Sequence, residues 1–306
     1  VSAALYNRFC ALIFLLYLLV SNNLSVDFFN TYRPCEELQD IVEFYWRSSC
    51  NLEETLVQEM YTPTLQALTF NLSGLHEDVL LEKGCIRMDK YSYIIGQPLS
   101  KRTSRSNPKG IDILGVKFTP IGLYLLTEID MKHISDKIID ASDIWNNEIN
   151  FLYDEMLSEK SIQAQICVLE RFLIGKRRKN SYCSKILMVQ NTLGLMESRK
   201  MFSVSALREE SPVTKKTLER YFLNHIGVTP KQYANISRFN NVLAYVDGLS
   251  SEPDWHDIIV SFGYYDQSHL IRDFKRYAGR TPTEYFSLIF HNKLQETQSD
   301  LKQIFN

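Results

Sequence analysis

The sequence predicts an α+β protein: a β-rich N-terminal part with helices of its own, followed by an all-α part built from two like units. Three observations predict it. Residues 218 to 233, LERYFLNHIGVTPKQY, return 52 positions later as LIRDFKRYAGRTPTEY at 270 to 285. In that overlay Leu218/Leu270, Arg220/Arg272, Phe222/Phe274, Gly227/Gly279, Thr229/Thr281, Pro230/Pro282 and Tyr233/Tyr285 coincide without a gap. Short runs rich in β-formers and bounded by Gly, Pro, Asn and Ser crowd residues 64 to 118. A chain of 306 residues also exceeds the usual size of one domain, so two are expected.

From the N-terminus, the apolar run from Phe9 to Val20 is too short to span a bilayer and long enough for the core of a signal peptide, but Leu19, Val20 and Ser21 make a poor cleavage site. Residues 1–26 are set aside as a hydrophobic leader of doubtful standing, with a membrane anchor as the minor alternative. Residues 34 to 48 predict a helix opened by Pro34, with Leu38, Ile41, Val42 and Tyr45 on one face. Runs at 64 to 72, 91 to 96 and 111 to 118 predict strands of a compact antiparallel sheet or barrel, and residues 101 to 110 a polar basic loop. Helices follow near 121 to 128, from 143 to 158 and from about 160 to 174, where Ile162, Ile166, Leu169 and Leu173 keep helical spacing. Glycine and charge at 175 to 181 mark the boundary. The expected division is a regulatory domain at 27–178, a linker at 179–183, a helical domain at 184–292 and a tail at 293–306.

Each copy of the repeat predicts a helix, a glycine stop, and a second helix capped by threonine and opened by proline. Short helices at 204 to 207 and 257 to 260 precede the copies, which makes a helix-turn-helix twice over. The helices expected to present an outer face run from about 214 to 226 and from 266 to 278. A linker helix from Pro230 to about Val246 gives roughly 25 Å at 1.5 Å per residue. With its flanking turns this approaches the ~34 Å between successive major-groove faces of B-DNA.

Residues 184 to 290 resemble the double helix-turn-helix module of AraC/XylS-type bacterial transcription regulators. The resemblance is carried by FGYYDQSHLIRDFKRYAGRTPTEY at 262 to 285, which follows that family's Gly-Phe, Asp-Gln-Ser-His, Phe-Lys, Gly and Thr-Pro pattern. Pro212, Arg208, Ile259, Tyr264 and Leu270 depart from it. Motifs at 32 to 34, 45 to 46, 94 to 97 and 114 to 122 are similar to β-plus-helix, cupin-like sensor domains that precede such modules.

The resemblance implies a sequence-specific DNA-binding transcriptional regulator. Its partners would be a double-stranded operator, RNA polymerase and a small-molecule effector; the apolar stripes of the helices at 143 to 174, longer than a small sheet needs to cover itself, predict a homodimer held there. The resemblance also implies base-reading roles for Lys216, Glu219, Arg220, Gln267, Ser268 and Arg272. Arginine can grip guanine, and glutamine adenine, through paired hydrogen bonds. Lys215, Thr217, His269, Lys275 and Arg276 fall to phosphate, which positions without specifying. A histidine at 269 more often supports packing, and Arg238 matches a family arginine of structural role.

Net charge is only −2, but the 95 residues from Arg199 to Lys293 hold thirteen Lys and Arg against ten Asp and Glu. The basic excess sits on the part that needs it. Six cysteines at scattered spacing predict reduced, mostly buried thiols and a cytoplasmic, nucleoid-associated protein. No catalytic residue, metal or cofactor is expected: the six histidines lack ligand spacing in the β-rich part, and GxSxG, Walker A and dinucleotide motifs are missing. Pro34-Cys35 is followed by Glu36 and Glu37, which disfavour a nucleophilic thiolate. The rival readings are a signalling scaffold that keeps the helix-turn-helix fold without binding DNA and, last, a DNA-repair or metal-dependent enzyme.

Overall fold

The computed structural model describes residues 28–50, 55, 57–81, 84–88, 90–105, 110–177, 184–198 and 213–291. The leader, the linker at 179–183, the short helix at 204–207 with the departures at Arg208 and Pro212, and the C-terminal tail that the sequence leads one to expect lie outside the described residues.

Among the described residues, ten strands form two antiparallel sheets. The first has the order β1 (Phe28–Tyr32), β2 (Val42–Cys50), β9 (Ile111–Phe118), β4 (Ala67–Asn71), β7 (Ser92–Ile95), β10 (Ile138–Asp140). The second has the order β3 (Val57–Met60), β8 (Arg102–Arg105), β5 (Glu77–Leu81), β6 (Gly84–Met88). The three expected strands are β4, β7 and β9. Helices α1 (Gly122–Thr127), α2 (Ser142–Trp145), α3 (Glu148–Ser158) and α4 (Ile162–Lys176) follow, then α5 (Ser184–Ser198). The C-terminal part is helical: α6 (Lys215–His225), α7 (Pro230–Asp247), α8 (Trp255–Ser261), α9 (Gln267–Tyr277) and α10 over 282 to 291.

Three expectations are corrected. Residues 34 to 48 are no helix but a 3-10 turn at Glu36–Leu38 running into β2. The side chains read as one helical face, Leu38, Ile41, Val42 and Tyr45, do all reach one core. A register shift between Val42 and Phe44 puts Val42 and Tyr45 on the same side of the strand, while Phe44 and Trp46 pack together elsewhere. The bulge thereby imitates a helical period on a strand. The supposed basic loop at 101 to 110 contains β8, whose Arg102 and Ser104 point inward and are buried. The helix expected from 143 to 158 is broken at Asn146, which takes a left-handed φ of 50° between α2 and α3.

The thiols also differ from expectation. Cys85 on edge strand β6 and Cys167 on α4 are exposed. Cys35 is half-buried, and its thiol is pushed up by burial first and then by Glu170, whose carboxylate accepts from the Cys35 amide at 2.7 Å. Among the described residues no helix is long and apolar enough to cross a membrane, and no group of His, Cys, Asp and Glu could hold a metal ion.

One apolar core runs from the first sheet through α1 to α5 and on to Leu218, Phe222, Ile226 and Tyr233 of the first helical unit. A second core gathers α7 to α10 and takes in Tyr61 from the segment between β3 and β4. The β-rich part therefore packs on both helical units rather than being tethered to them.

Candidate nucleic-acid interface

The doubled sequence folds into doubled geometry. Thr214 caps α6 by accepting from the Thr217 amide at 3.3 Å, and Asp266 caps α9 by accepting from the His269 amide at 2.7 Å. Leu218 and Phe222 in one copy and Leu270 and Phe274 in the other are buried, one turn apart on the inner face. Both helices are stopped by a glycine in left-handed backbone, Gly227 at φ 93° and Gly279 at φ 71°.

The next helix then starts with a capping box in each copy. Gln232 returns to the Thr229 amide at 2.9 Å, and Glu284 returns to the Thr281 amide at 2.7 Å. Those Thr281 bonds hold the exposed Glu284 carboxyl below its ordinary range. Phe222 meets Tyr233 edge-on at 6.5 Å, and Phe274 meets Tyr285 edge-on at 5.7 Å. Identical positions in the sequence do identical work in the two units.

Packing on the inner faces leaves the outer faces bare. On α6, Lys215, Lys216 and Arg220 are exposed while Thr217 and Glu219 are half-buried. Thr217 Oγ1 sits 2.9 Å from Thr214 Oγ1, and Lys215 lies 3.8 Å from Glu219 one turn on. On α9, Gln267, Ser268, Arg272, Lys275 and Arg276 are all exposed. Arg272 Nε donates to the Ser268 carbonyl at 3.2 Å, so its guanidinium lies along the helix surface. Lys216, Arg220, Arg272, Lys275 and Arg276 make no ion pair among the described residues. Arg220 and Arg276 lie over the rings of Tyr221 and Tyr277 at 5.7 and 5.4 Å.

His269 is placed differently from the other members of this set. It is half-buried, with Nε2 3.0 Å from Arg238 Nη2 and its ring 5.1 Å from that of Tyr264. Burial first, and Arg238 second, lower its pKa, so it accepts from Arg238 as a neutral ring. Arg238 also donates to Asp273 at 2.9 Å and stacks at 4.1 Å on Tyr264. The structural role expected for Arg238 is what it has: it fixes α9 on the linker helix. Asp273, the anion that completes this clamp, carried no sequence signal beyond its polar residue type on a buried face.

The β-rich part holds each unit from the side. Gln66 Nε2 donates to the Ile226 carbonyl at 2.7 Å, and Lys132 to Asn224 at 3.2 Å. A Cβ on Gly227 would come within 2.8 Å of the Met131 carbonyl oxygen, so only glycine permits that approach. On the second unit, the Thr62 amide donates to the Tyr277 carbonyl at 3.1 Å, and Glu59 pairs with both Lys101 and Arg280. None of these contacts covers the outer cationic faces of α6 and α9.

Residues 209–287 match a family model described as a helix-turn-helix domain, and residues 30–140 match a domain of unknown function (DUF6597). No curated protein matches the chain in sequence. Among solved structures, the apo form of a ToxT variant from Vibrio cholerae strain SCE256 is 13% identical, with a TM-score of 0.45 over 80% of this chain and 97% of that one. The AraC-like transcriptional activator CuxR is 12% identical, with a TM-score of 0.26 over 72% and 87%. These likenesses are distant, and the site rests on the family match and the doubled geometry.

Proposed function

We propose that this chain, whose C-terminal part is an AraC-type helix-turn-helix domain, is a transcriptional regulator that reads two adjacent major grooves of its operator. The observation that carries the reading is the pair of matched units, each with a capped helix whose inner Leu and Phe are buried and whose outer face holds cations, Lys216 and Arg220 in one and Arg272, Lys275 and Arg276 in the other, without ion-pair partners among the described residues. Lys216, Glu219 and Arg220 on α6 and Gln267, Ser268 and Arg272 on α9 face base edges. Lys215, Thr217, Lys275 and Arg276 hold phosphate, and His269, tied to Arg238, keeps the start of α9 in place beside the backbone.

The linker supports the two-groove geometry. Its 18 residues span about 27 Å at 1.5 Å per residue, and turns at each end extend the reach toward the ~34 Å helical repeat of DNA. Residues 27–178 serve as a cupin-like regulatory domain and 184–292 as the DNA-binding domain. Contacts from Gln66 and Thr62 to Ile226 and Tyr277 support that division of labour, because each tethers a recognition helix at its C-terminal end. Exposed Phe151 and Leu157 on α3 support a homodimer through that helix. Action in the cytoplasm, an effector and a contact with RNA polymerase belong to the same reading.

The test is selection of bound duplexes from a random pool by the full chain. The reading expects one enriched sequence with two conserved blocks about one helical turn apart. Recovery of no sequence, with affinity no higher than for bulk duplex, would favour the scaffold reading.

A further inference from the structure

Between the two sheets lies a cavity of about 130 Å³. Sheet one supplies Trp46, Ile111 and Ile113 to its wall, and sheet two supplies Met60, Val79 and Met88. Its size is close to the ~150 Å³ at which an apolar protein cavity takes up a benzene ring.

Among the polar residues on this wall, Ser48 and Arg102 stand out. Ser48 is 2% exposed and Arg102 is 4% exposed, and neither Ser48 Oγ nor Arg102 Nε has a hydrogen-bond partner among the described residues. In folded proteins most buried polar atoms are hydrogen-bonded, so an orphan donor on a cavity wall calls for an explanation. Both can donate, and a guanidinium N–H has no other capacity. What the cavity lacks is therefore an acceptor.

Charge decides which acceptor. Arg102 Nη2 is already 3.4 Å from Asp136, so its cation has a counter-ion, and its Nε–H is a buried donor left without a partner among the described residues. A ligand anion would surrender its hydration for a guanidinium it must share with Asp136. It would also meet Glu77 on the same wall, a carboxyl pushed up to about 7 by burial and by Asp78. A ligand cation meets Arg102 itself. An uncharged carbonyl oxygen answers the open donors without bringing a charge into an apolar space.

Resting on the reading of residues 27–178 as an effector-sensing domain, we propose that this cavity binds a compact, uncharged, ring-sized molecule whose carbonyl oxygen accepts from Arg102 Nε and Ser48 Oγ. Occupancy has a direct route to the DNA-binding part. Met60, Tyr61 and Pro63 line the cavity, while Tyr61 packs on Tyr285 at 5.4 Å and Thr62 bonds Tyr277.

The experiment titrates full-length protein, labelled at the methionine methyls, with three probes of like size: cyclohexanone, cyclopentanecarboxylate and cyclohexylammonium. Met60 and Met88 report from the wall. The expected result is saturable shifts of both methyls with cyclohexanone at millimolar concentration and at least tenfold weaker response to either ion. Ser48→Ala should weaken cyclohexanone about fivefold, as loss of one neutral hydrogen bond does. Arg102→Met should weaken it further, and Ile113→Phe should fill the cavity and abolish the response. Absence of any shift with cyclohexanone in folded protein overturns the site. Tighter binding of the carboxylate overturns the uncharged head, and unchanged ketone affinity in Ser48→Ala, a variant chosen to spare the Arg102–Asp136 pair, overturns the donor assignment. Duplex binding is measured in parallel: if it persists while the ketone fails, only the cavity proposal falls, and if the ketone binds while no duplex does, only the regulator reading falls.

Discussion

Asn240 in the linker helix donates its side-chain amide to the Thr62 carbonyl at 3.2 Å, while the Thr62 amide donates to Tyr277 at the end of α9 at 3.1 Å. A single residue between β3 and β4 is thus bonded to both helices that set the position of the second reading surface. Asn240 also bonds the Ile236 carbonyl at 2.7 Å, so its amide is pinned on two sides.

Asn240→Ala leaves the buried Thr62 carbonyl without this donor, which costs about 1–3 kcal/mol. Urea denaturation should show a lower midpoint, and hydrogen exchange at the Thr62 amide should speed up even far below that midpoint. An unchanged midpoint with unchanged exchange would mean that the contact carries no energy.

The Arg238–Asp273 pair should be more costly to break. Its side chains are 17% and 10% exposed, and removing one partner strands the other charge in a nearly dry site. Asp273→Ala is expected to destabilise the chain by about 3 kcal/mol. Arg238→Met with Asp273→Leu should recover much of that loss, because an apolar pair needs no desolvation of charge. A double variant no more stable than Asp273→Ala would contradict the desolvation argument.

How much of this was legible in the sequence follows from what each feature depends on. The helical units were legible because their signals are local: Leu218 and Phe222 at i and i+4, the Gly227 stop and the Thr229-Pro230 start all lie within one turn of the structure they dictate. The doubling then gave the register twice. β2 reads as a helix in the sequence because a bulge between Val42 and Phe44 resets its alternation, and only pairing with β9 reveals that. β8 was hidden because Arg102 and Lys101 look like loop residues until Asp136 and Glu59 are brought beside them from distant parts of the chain. The Arg238 clamp was half visible: the arginine stood out, while Asp273 acquires its meaning only when α9 crosses α7. The cavity was invisible, since its wall takes single residues from both sheets.

If α3 holds a dimer, its exposed apolar side chains are the place to break it. Phe151 is 71% exposed and Leu157 48%. Sedimentation of the full chain at tens of micromolar should give a dimer, a range suited to weak association. Phe151→Glu combined with Leu157→Glu should shift it to monomer without lowering the melting temperature, since neither side chain is in the core. A wild-type monomer under these conditions would remove the dimer from the account.

Glu77 sets a pH dependence. Its folded pKa, about 7, lies above the ordinary 4.5, so between those values the folded chain binds the proton more readily than the unfolded chain. The stabilisation is therefore fully present below about pH 4.5 and is lost as pH rises through 7. Glu77→Gln, which cannot ionise, should lose less stability between pH 6 and about pH 8 than wild type does. Parallel pH profiles of the two melting temperatures would contradict this assignment.

Whether α6 and α9 lie in DNA grooves is most directly measured on α9, where Arg272 and Lys275 are exposed on one helix with different expected tasks. Binding of Arg272→Ala and Lys275→Ala to the selected duplex is compared with wild type across a salt series, after both variants are shown to melt like wild type. Loss of Arg272 should cost about 1–3 kcal/mol at the selected sequence and relax preference at one or two base pairs. Loss of Lys275 should weaken every duplex alike and reduce the salt slope by about one unit. Two folded variants that bind the selected duplex as tightly as wild type, with the same salt slope, would place α9 outside the groove and contradict the account.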